Sequence, residues 1–375
     1  MCFVFAEPFC VGGLPYLNRR VFMLHLVTER NQRLVAHRYD LTAGKLVGEP
    51  IDLGDAPLIE GNYGVPVASA SQHGILAYSA ARLSNTQVSL FDRTGKRQSV
   101  LPLPAGRWEG ASIGPDGRRA LVGQVNSAAE TGWWLVELES AIARRFADAA
   151  IYSPASWSPA GDRVAYQANR SGPEDIFIKS VDGGGPEEPL VVSDVLFKNQ
   201  SQWSPDGHHV IFAQPDPDTG WDVWRVPVLS ERKPEIVVRT AANENGGSVS
   251  PDGRWVVYGS DESGRLELYA QSYPVAGQRQ QLTTTGVGSW YSNTIVDWSR
   301  DGRELLLFDG TVRVIDVATG PVFRAGAPRQ LFATPARVVG FSATPDHQRF
   351  LVVEPVADAE PAAIALDVNW TAGLK

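Results

Sequence analysis

The stretch VSPDGRWVVYGSDESGRLELYAQ, residues 249–271, decides the fold. In its opening Ser-Pro-Asp-Gly turn, proline presets φ, aspartate caps its own backbone and glycine accepts the positive φ that closes a hairpin. Residues 254–258 are rich in β-branched and aromatic side chains, which is strand chemistry. A second turn of Asp, Ser and Gly follows, and another strand begins at Glu267. The stretch therefore indicates a turn, a strand, a turn and a strand.

The first half of this stretch recurs along the chain. Copies such as SWSPAGDRVAYQ and QWSPDGHHVIFA place turn glycines at Gly74, Gly117, Gly161, Gly207, Gly253 and Gly302, with His347 at the seventh place. Turn aspartates stand at Asp116, Asp206, Asp252 and Asp301. The turns are 43 to 49 residues apart, and a period in this range is typical of a solenoid or a propeller.

The remainder of each period supplies two more strands. Short segments such as DIFI from Asp175, DVWR from Asp222 and ELYA from Glu267 follow the second turn, and a fourth strand ends each unit. Four antiparallel strands in about 45 residues indicate a β-propeller blade. A tryptophan also recurs four residues before the turn glycine, and its repetition favours packing between blades over an exposed aromatic platform.

These observations predict an all-β chain, a β-propeller of seven or eight four-stranded antiparallel blades. Residues 1–20 are expected to be an N-terminal extension or closing strand, and residues 21–375 a single propeller. Because an open ring would leave exposed strand edges, we expect strands from both termini to close it. The specific prediction is that a strand from the first 30 residues pairs with the one ending at Trp370.

Composition excludes several classes of function. The net charge of −8 argues against a nucleic-acid surface. The two cysteines, Cys2 and Cys10, leave the remaining chain without a disulfide scaffold or a thiolate metal site. No uncharged apolar run approaches the roughly 18 residues that span a bilayer, and the opening segment is a poor signal peptide.

Candidate chemistry is weak. The match to a nucleophile elbow at residues 110–114 falls on the repeat, where a hairpin replaces the required helix. The six histidines have no metal-ligand spacing and are interpreted as surface or turn residues, although a channel-lining pair from different blades stays open. Asp216, Asp218 and Asp222 could supply oxygen ligands to calcium, but they lack the order of a calcium-binding loop, and a solvated hairpin tip is the favoured interpretation.

The WSPDG turns, followed by an apolar strand and then DIF or DVW, resemble the TolB-like, WD-type propeller repeats of bacteria. SASQHGILAY, GPVFRAGAPRQLF and the closing LDVNWTAGLK are similar to the propeller region that follows bacterial serine/threonine kinase domains, especially of the acidobacterial kind. The resemblance implies an extracytoplasmic location. The sequence has no kinase motif, since HRYD at 37–40 lacks its partners, so a kinase is expected only on another polypeptide or upstream of Met1.

A non-catalytic binding or scaffold module is the favoured function, with a protein or small ligand at a propeller face or in the channel. The alternative is a propeller enzyme, a lyase or hydrolase, with a polar site at the channel mouth. Fold alone does not decide between them. The period varies little, whereas such enzymes carry long insertions, which favours the binding module. We expect a monomer and no cofactor.

Overall fold

A computed structural model describes residues 2–5, 23–30, 33–40, 43–55, 68–70, 75–79, 85–125, 131–148, 154–170, 173–183, 185–288, 295–334, 338–356 and 364–368. The described residues form strands and turns, with no helix among them. The chain divides into two compact units, Met1–Ser84 with Asp358–Lys375 and Asn85–Ala357. The expected division into residues 1–20 and 21–375 stays a prediction.

The first unit contains short antiparallel sheets. Its first six strands are β1 (Cys2–Phe5), β2 (Met23–Arg30), β3 (Arg33–Asp40), β4 (Lys45–Asp55), β5 (Ala68–Ala70) and β6 (Ile75–Ser79). Strands β1 to β4 form a meander in which each strand pairs with the next. Strand β6 pairs with β5 and with a strand near the end of the chain, Ile364–Val368.

The described residues of the second unit form five four-stranded sheets and one five-stranded sheet, here called blades. Its strands begin with β7 (Thr86–Asp92) and β8 (Arg97–Val100). Blade 1 contains β9 (Trp108–Ile113), β10 (Arg119–Val125), β11 (Thr131–Glu137) and β12 (Ala143–Asp148). Blade 2 contains β13 (Ser156–Trp157), β14 (Arg163–Asn169), β15 (Glu174–Ser180) and β16 (Glu188–Val191). Blade 3 contains β17 (Asn199–Trp203), β18 (His209–Asp216), β19 (Gly220–Pro227) and β20 (Glu235–Val238).

The remaining blades follow the same order. Blade 4 contains β21 (Glu244–Val249), β22 (Trp255–Ser260), β23 (Glu267–Ser272) and β24 (Arg279–Gln281). Blade 5 contains β25 (Ile295–Trp298), β26 (Glu304–Phe308), β27 (Thr311–Ala318), β28 (Arg324–Ala325) and β29 (Arg329–Ala333). Blade 6 combines β30 (Gly340–Ala343) and β31 (Arg349–Pro355) with β7 and β8. The last strand, β32 (Ile364–Val368), is the partner of β6 in the first unit.

The core of the second unit lies between the blades. Six clusters of buried apolar residues, counted within the described part of this unit, each join one blade to its neighbour. Trp133 and Tyr166 lie in the cluster between blades 1 and 2, for example. Phe308 of blade 5 stacks on Phe341 of blade 6, with ring centroids 4.2 Å apart. The blades therefore succeed one another around a central axis.

Two predictions about the ring need correction. The described residues form six blades, not seven or eight, because the copy of the repeat around Gly74 belongs to the first unit, where β6 pairs with β32. The predicted pairing of the strand before Trp370 with one from the first 30 residues is not confirmed. Sheet β30-β31-β7-β8 instead pairs strands near the two ends of the second unit, with Phe350 opposite Phe91.

Candidate functional site

The Ser-Pro-Asp-Gly turns connect the first and second strands of the blades. Gly117, Gly161, Gly207, Gly253 and Gly302 have φ between 66 and 72°. In each turn the amide of the glycine donates to the carbonyl three residues earlier, as Gly253 does to Ser250 at 2.8 Å. Gly74 lies outside the described residues. These glycines thus have the conformation that the turn requires.

The turn aspartates cap the same turns. A carboxylate oxygen of Asp116, Asp206, Asp252 and Asp301 accepts a hydrogen bond from the amide two residues later, at 2.8 to 3.2 Å. At Asp301 the hydroxyl of Ser299, followed by the Arg303 amide, lowers the pKa of the carboxyl. Because these oxygens are engaged in the turns, the turn aspartates have a structural role.

The recurrent tryptophans pack between blades. Trp157, Trp203 and Trp298 are buried. Their indole N–H groups donate across the blade boundary to the carbonyls of Ser112, Ser156 and Ser248, at 3.0 to 3.1 Å. The packing interpretation of these residues is confirmed.

A buried acid near the start of the third strand holds the connection to the next blade. In blade 3, Asp222 accepts a hydrogen bond from Arg239 Nε at 2.8 Å. In blade 4, Glu267 accepts from the Thr283 hydroxyl at 2.6 Å and from the Gly286 amide at 2.8 Å. Asp175 has the same place in blade 2, and all three acids are buried. These acids fasten the loops that lead into the following first strands.

This arrangement bears on the three calcium candidates. Arg239 bridges two of them, with Nη2 at 2.8 Å from Asp216 Oδ2 and 2.7 Å from Asp222 Oδ2. The Asp218 amide, together with Arg239, lowers the pKa of Asp216. Among the described residues, no group of three or more His, Cys, Asp and Glu side chains is arranged to hold a metal ion. Calcium binding there stays a hypothesis, and a guanidinium already neutralises two of its ligands.

The loop between blades 2 and 3, residues 192–198, is fixed by a buried lysine and is called the clamp loop here. Lys198 is fully buried, and its Nζ lies 2.8 Å from Asp175 Oδ1. The same ammonium donates to the carbonyls of Val195 at 2.8 Å and Glu174 at 3.2 Å. Since a buried ammonium needs a carboxylate and further acceptors, these contacts hold the loop in one conformation.

The clamp loop directs apolar side chains outward. Val192 is 61% exposed, Leu196 63% and Phe197 44%. Leu196 is held by its backbone, because its carbonyl accepts the Glu174 amide at 3.1 Å. Exposed apolar side chains on an ordered loop leave water-accessible apolar area that a partner could cover.

Glu174 lies beside this loop. Its carboxyl has no hydrogen-bond partner among the residues that the structure describes. Burial raises the pKa of Glu174 from 4.5 to about 7, and the Lys198 ammonium acts in the opposite direction. A half-buried carboxylate without a donor has unfilled hydrogen-bonding capacity near neutral pH.

The position of the clamp loop follows from blade topology. In an antiparallel meander, the turns after strands one and three lie at one end, and the connections after strands two and four lie at the other. The clamp loop, which follows a fourth strand, therefore lies on the end opposite the Ser-Pro-Asp-Gly turns. This end is called the loop face.

Sequence reasoning did not single out Lys198, Glu174 or the clamp loop. The available signal was the segment VVSDVLFK, in which apolar residues without strand alternation precede one lysine. That pattern does not reveal burial of the lysine, because the partner carboxylate is on another strand.

The fold defines a β-propeller of four-stranded blades, and solved structures with this fold include TolB-like proteins. No protein-family model matches the chain. A putative TolB from Agrobacterium tumefaciens is similar over 73% of this chain and 99% of its own, with a TM-score of 0.57 and 19% identity. TolB from Acinetobacter baumannii is similar over 91% of this chain and 81% of its own, with a TM-score of 0.50 and 11% identity.

A gluconolactonase from Xanthomonas campestris is similar over 66% of this chain and 86% of its own, with a TM-score of 0.46 and 16% identity. Identities this low show the fold alone. The likeness to kinase-associated propellers stays a prediction.

In the described part of the chain, no helix is long and apolar enough to cross a membrane.

Proposed function

We propose that this chain is a non-catalytic binding module that recognises a partner protein through the clamp loop on its loop face. The observation that carries the proposal is the combination of three exposed apolar side chains with a loop fixed by a buried lysine. A rigid loop loses little conformational entropy when a partner binds, so more of the contact energy contributes to affinity.

The chemistry of the surface defines the partner. Covering Leu196 and Phe197 would contribute about 1–2 kcal/mol for each side chain, because each is already partly buried. The carboxylate of Glu174 adds a place for a charge-assisted hydrogen bond. The expected partner is therefore a protein segment with apolar side chains next to a lysine or arginine.

Selection of peptides from a random displayed library tests this proposal. Peptides that bind the intact chain should contain apolar residues flanking a basic one. Phe197→Ser and Glu174→Gln should each weaken their binding at least tenfold, because one removes apolar contact and the other removes charge.

Leu229→Ser is the matched control. Leu229 is 72% exposed in the connection after a third strand, on the face of the Ser-Pro-Asp-Gly turns. Peptide binding should not change in this variant. Equal binding to all the variants, or selection of acidic peptides, would contradict the proposal.

The alternative of a lyase or hydrolase stays a hypothesis. It places the functional groups at the channel mouth, whereas Phe197→Ser and Glu174→Gln change the clamp loop and the residue beside it. A catalytic activity that survives both substitutions would therefore favour the enzyme.

A further inference from the structure

The first strands of the six blades place polar side chains at one equivalent position. These residues are Ser112, Ser156, Gln202, Ser248, Asp297 and Ser342. The amide of Gln202 donates to the Val296 carbonyl at 3.4 Å, although blade 4 stands between their blades in the ring. The first strands therefore face one another across a central channel. At this position, Asp297 is the one residue with a charge.

The carboxylate of Asp297 is only partly satisfied. Oδ1 accepts the Trp298 amide at 2.9 Å. The ion-pair contact of Oδ2 is with His347 Nε2, at the long distance of 3.9 Å. The side chain is 42% exposed, so solvent in the channel reaches it even though the walls enclose it. This enclosure raises the pKa of Asp297, and His347 acts in the opposite direction.

His347 lies behind Asp297 and is fully buried. It occupies the turn-glycine position of blade 6 with φ of 54°. Its Nδ1 lies 3.3 Å from Glu304 Oε2, and its Nε2 has no hydrogen-bond partner among the described residues. His347 therefore lies between two carboxylates, and its Nε2, 3.9 Å from Asp297 Oδ2, is too far away for a hydrogen bond to that oxygen.

The arginines nearby bind other groups. Arg93 donates to Glu304 Oε1 at 2.5 Å and to the His347 carbonyl at 2.9 Å. Arg329 also contacts Glu304 Oε1, at 3.1 Å. Arg300 donates to the Pro115 carbonyl of blade 1. Among the described residues, no arginine or lysine pairs with Asp297, and its ion-pair contact is the long one with His347.

We propose that Asp297 anchors a site in the channel for an organic cation, an ammonium or guanidinium group. Its oxygen Oδ2, which has no hydrogen-bond donor among the described residues, accepts the hydrogen bond, while Oδ1 is held by the Trp298 amide. A metal ion fits the arrangement less well. Ligand atoms at about 2.0–2.1 Å around tetrahedral zinc stand roughly 3.3 Å apart, closer than Oδ2 and Nε2.

Calorimetric titration with n-butylammonium chloride tests the site, with n-butanol as the uncharged probe of the same shape. The intact chain should bind the ammonium and not the alcohol. Asp297→Ser should weaken ammonium binding at least tenfold. This variant carries the residue found at four of the other equivalent positions, so the blade should still fold. Asp297→Asn, which keeps the side-chain shape, should behave in the same way.

Asp301→Asn is the matched control. It makes the same change of charge at an exposed turn aspartate four residues away, and asparagine can keep the turn hydrogen bond. Ammonium binding should be unchanged in this variant. Equal binding by the Asp297 variants, equal binding of butanol, or binding of zinc chloride in preference to the ammonium would overturn the proposal.

Discussion

Replacing Lys198 by methionine removes the ammonium that fixes the clamp loop while keeping a long apolar side chain. Asp175, whose side chain is 4% exposed, then keeps its charge with the Ser193 amide at 3.3 Å as its remaining described donor. Leaving one partner of a buried ion pair alone costs about 3–5 kcal/mol. At about 2–4 °C per kcal/mol for a domain of this size, Tm should fall by roughly 10 °C.

Thermal unfolding followed by tryptophan fluorescence measures this effect. The double variant Lys198→Met with Asp175→Asn should be more stable than Lys198→Met alone by about 2 kcal/mol, because no unpaired charge is left buried. Lys179→Met is the control, since that lysine is only half-buried and donates to a carbonyl, and its loss should cost under about 1 kcal/mol. A loss below about 1 kcal/mol for Lys198→Met, or strict additivity in the double variant, would refute the ion-pair reasoning.

Three further outcomes are expected. The pKa of Glu174 is raised in the folded state, so the free energy of unfolding should fall by about 1–2 kcal/mol as pH rises from 5 to 8. The full pKa shift corresponds to about 3 kcal/mol before solvent screening. Unfolding of Glu174→Gln should show no such pH dependence. Gly247→Ala should lower the free energy of unfolding by about 2–4 kcal/mol, because the new Cβ would meet a methyl carbon of blade 3 at 2.7 Å. Gly253→Ala, at a glycine with φ of 70° and no atom within 4 Å of the new Cβ, should lower it by about 1 kcal/mol. Denaturant unfolding measures both. One millimolar calcium should shift Tm by under about 1 °C, alike in the intact chain and Asp218→Ala. A calcium site with Kd near 10 μM would instead stabilise the fold by about 2.7 kcal/mol and raise Tm by several degrees in the intact chain alone.

The repeated turn predicted the blade because all of its information is local. Proline, aspartate and glycine at consecutive positions determine the turn, and the apolar residues after Gly253 determine the strand that follows. The same reasoning applied to Trp157 and Trp203, whose regular spacing indicated contacts between blades. Such features need no knowledge of distant residues.

The number of blades depended on pairing between distant segments. Strand β31 pairs with β7, and β32 pairs with β6, across more than 250 residues of sequence. No local pattern shows which of these edges meet, because any exposed strand edge offers similar hydrogen-bonding groups. The copy of the repeat around Gly74 therefore looked like a further blade, although its strand belongs to the first unit.

The candidate sites required the tertiary structure for the same reason. His347 reads as an exposed turn residue, yet packing of blade 6 on blade 5 buries it beside Glu304 and Asp297. Lys198 reads as an ordinary loop lysine until the third strand of blade 2 brings Asp175 to its ammonium. The sequence by itself determined the strands, the turns and the blade-to-blade tryptophans, because these follow from neighbouring residues. Only the assembled ring determined which charges are buried together, because its neighbouring blades bring side chains from separate repeats within a few ångströms.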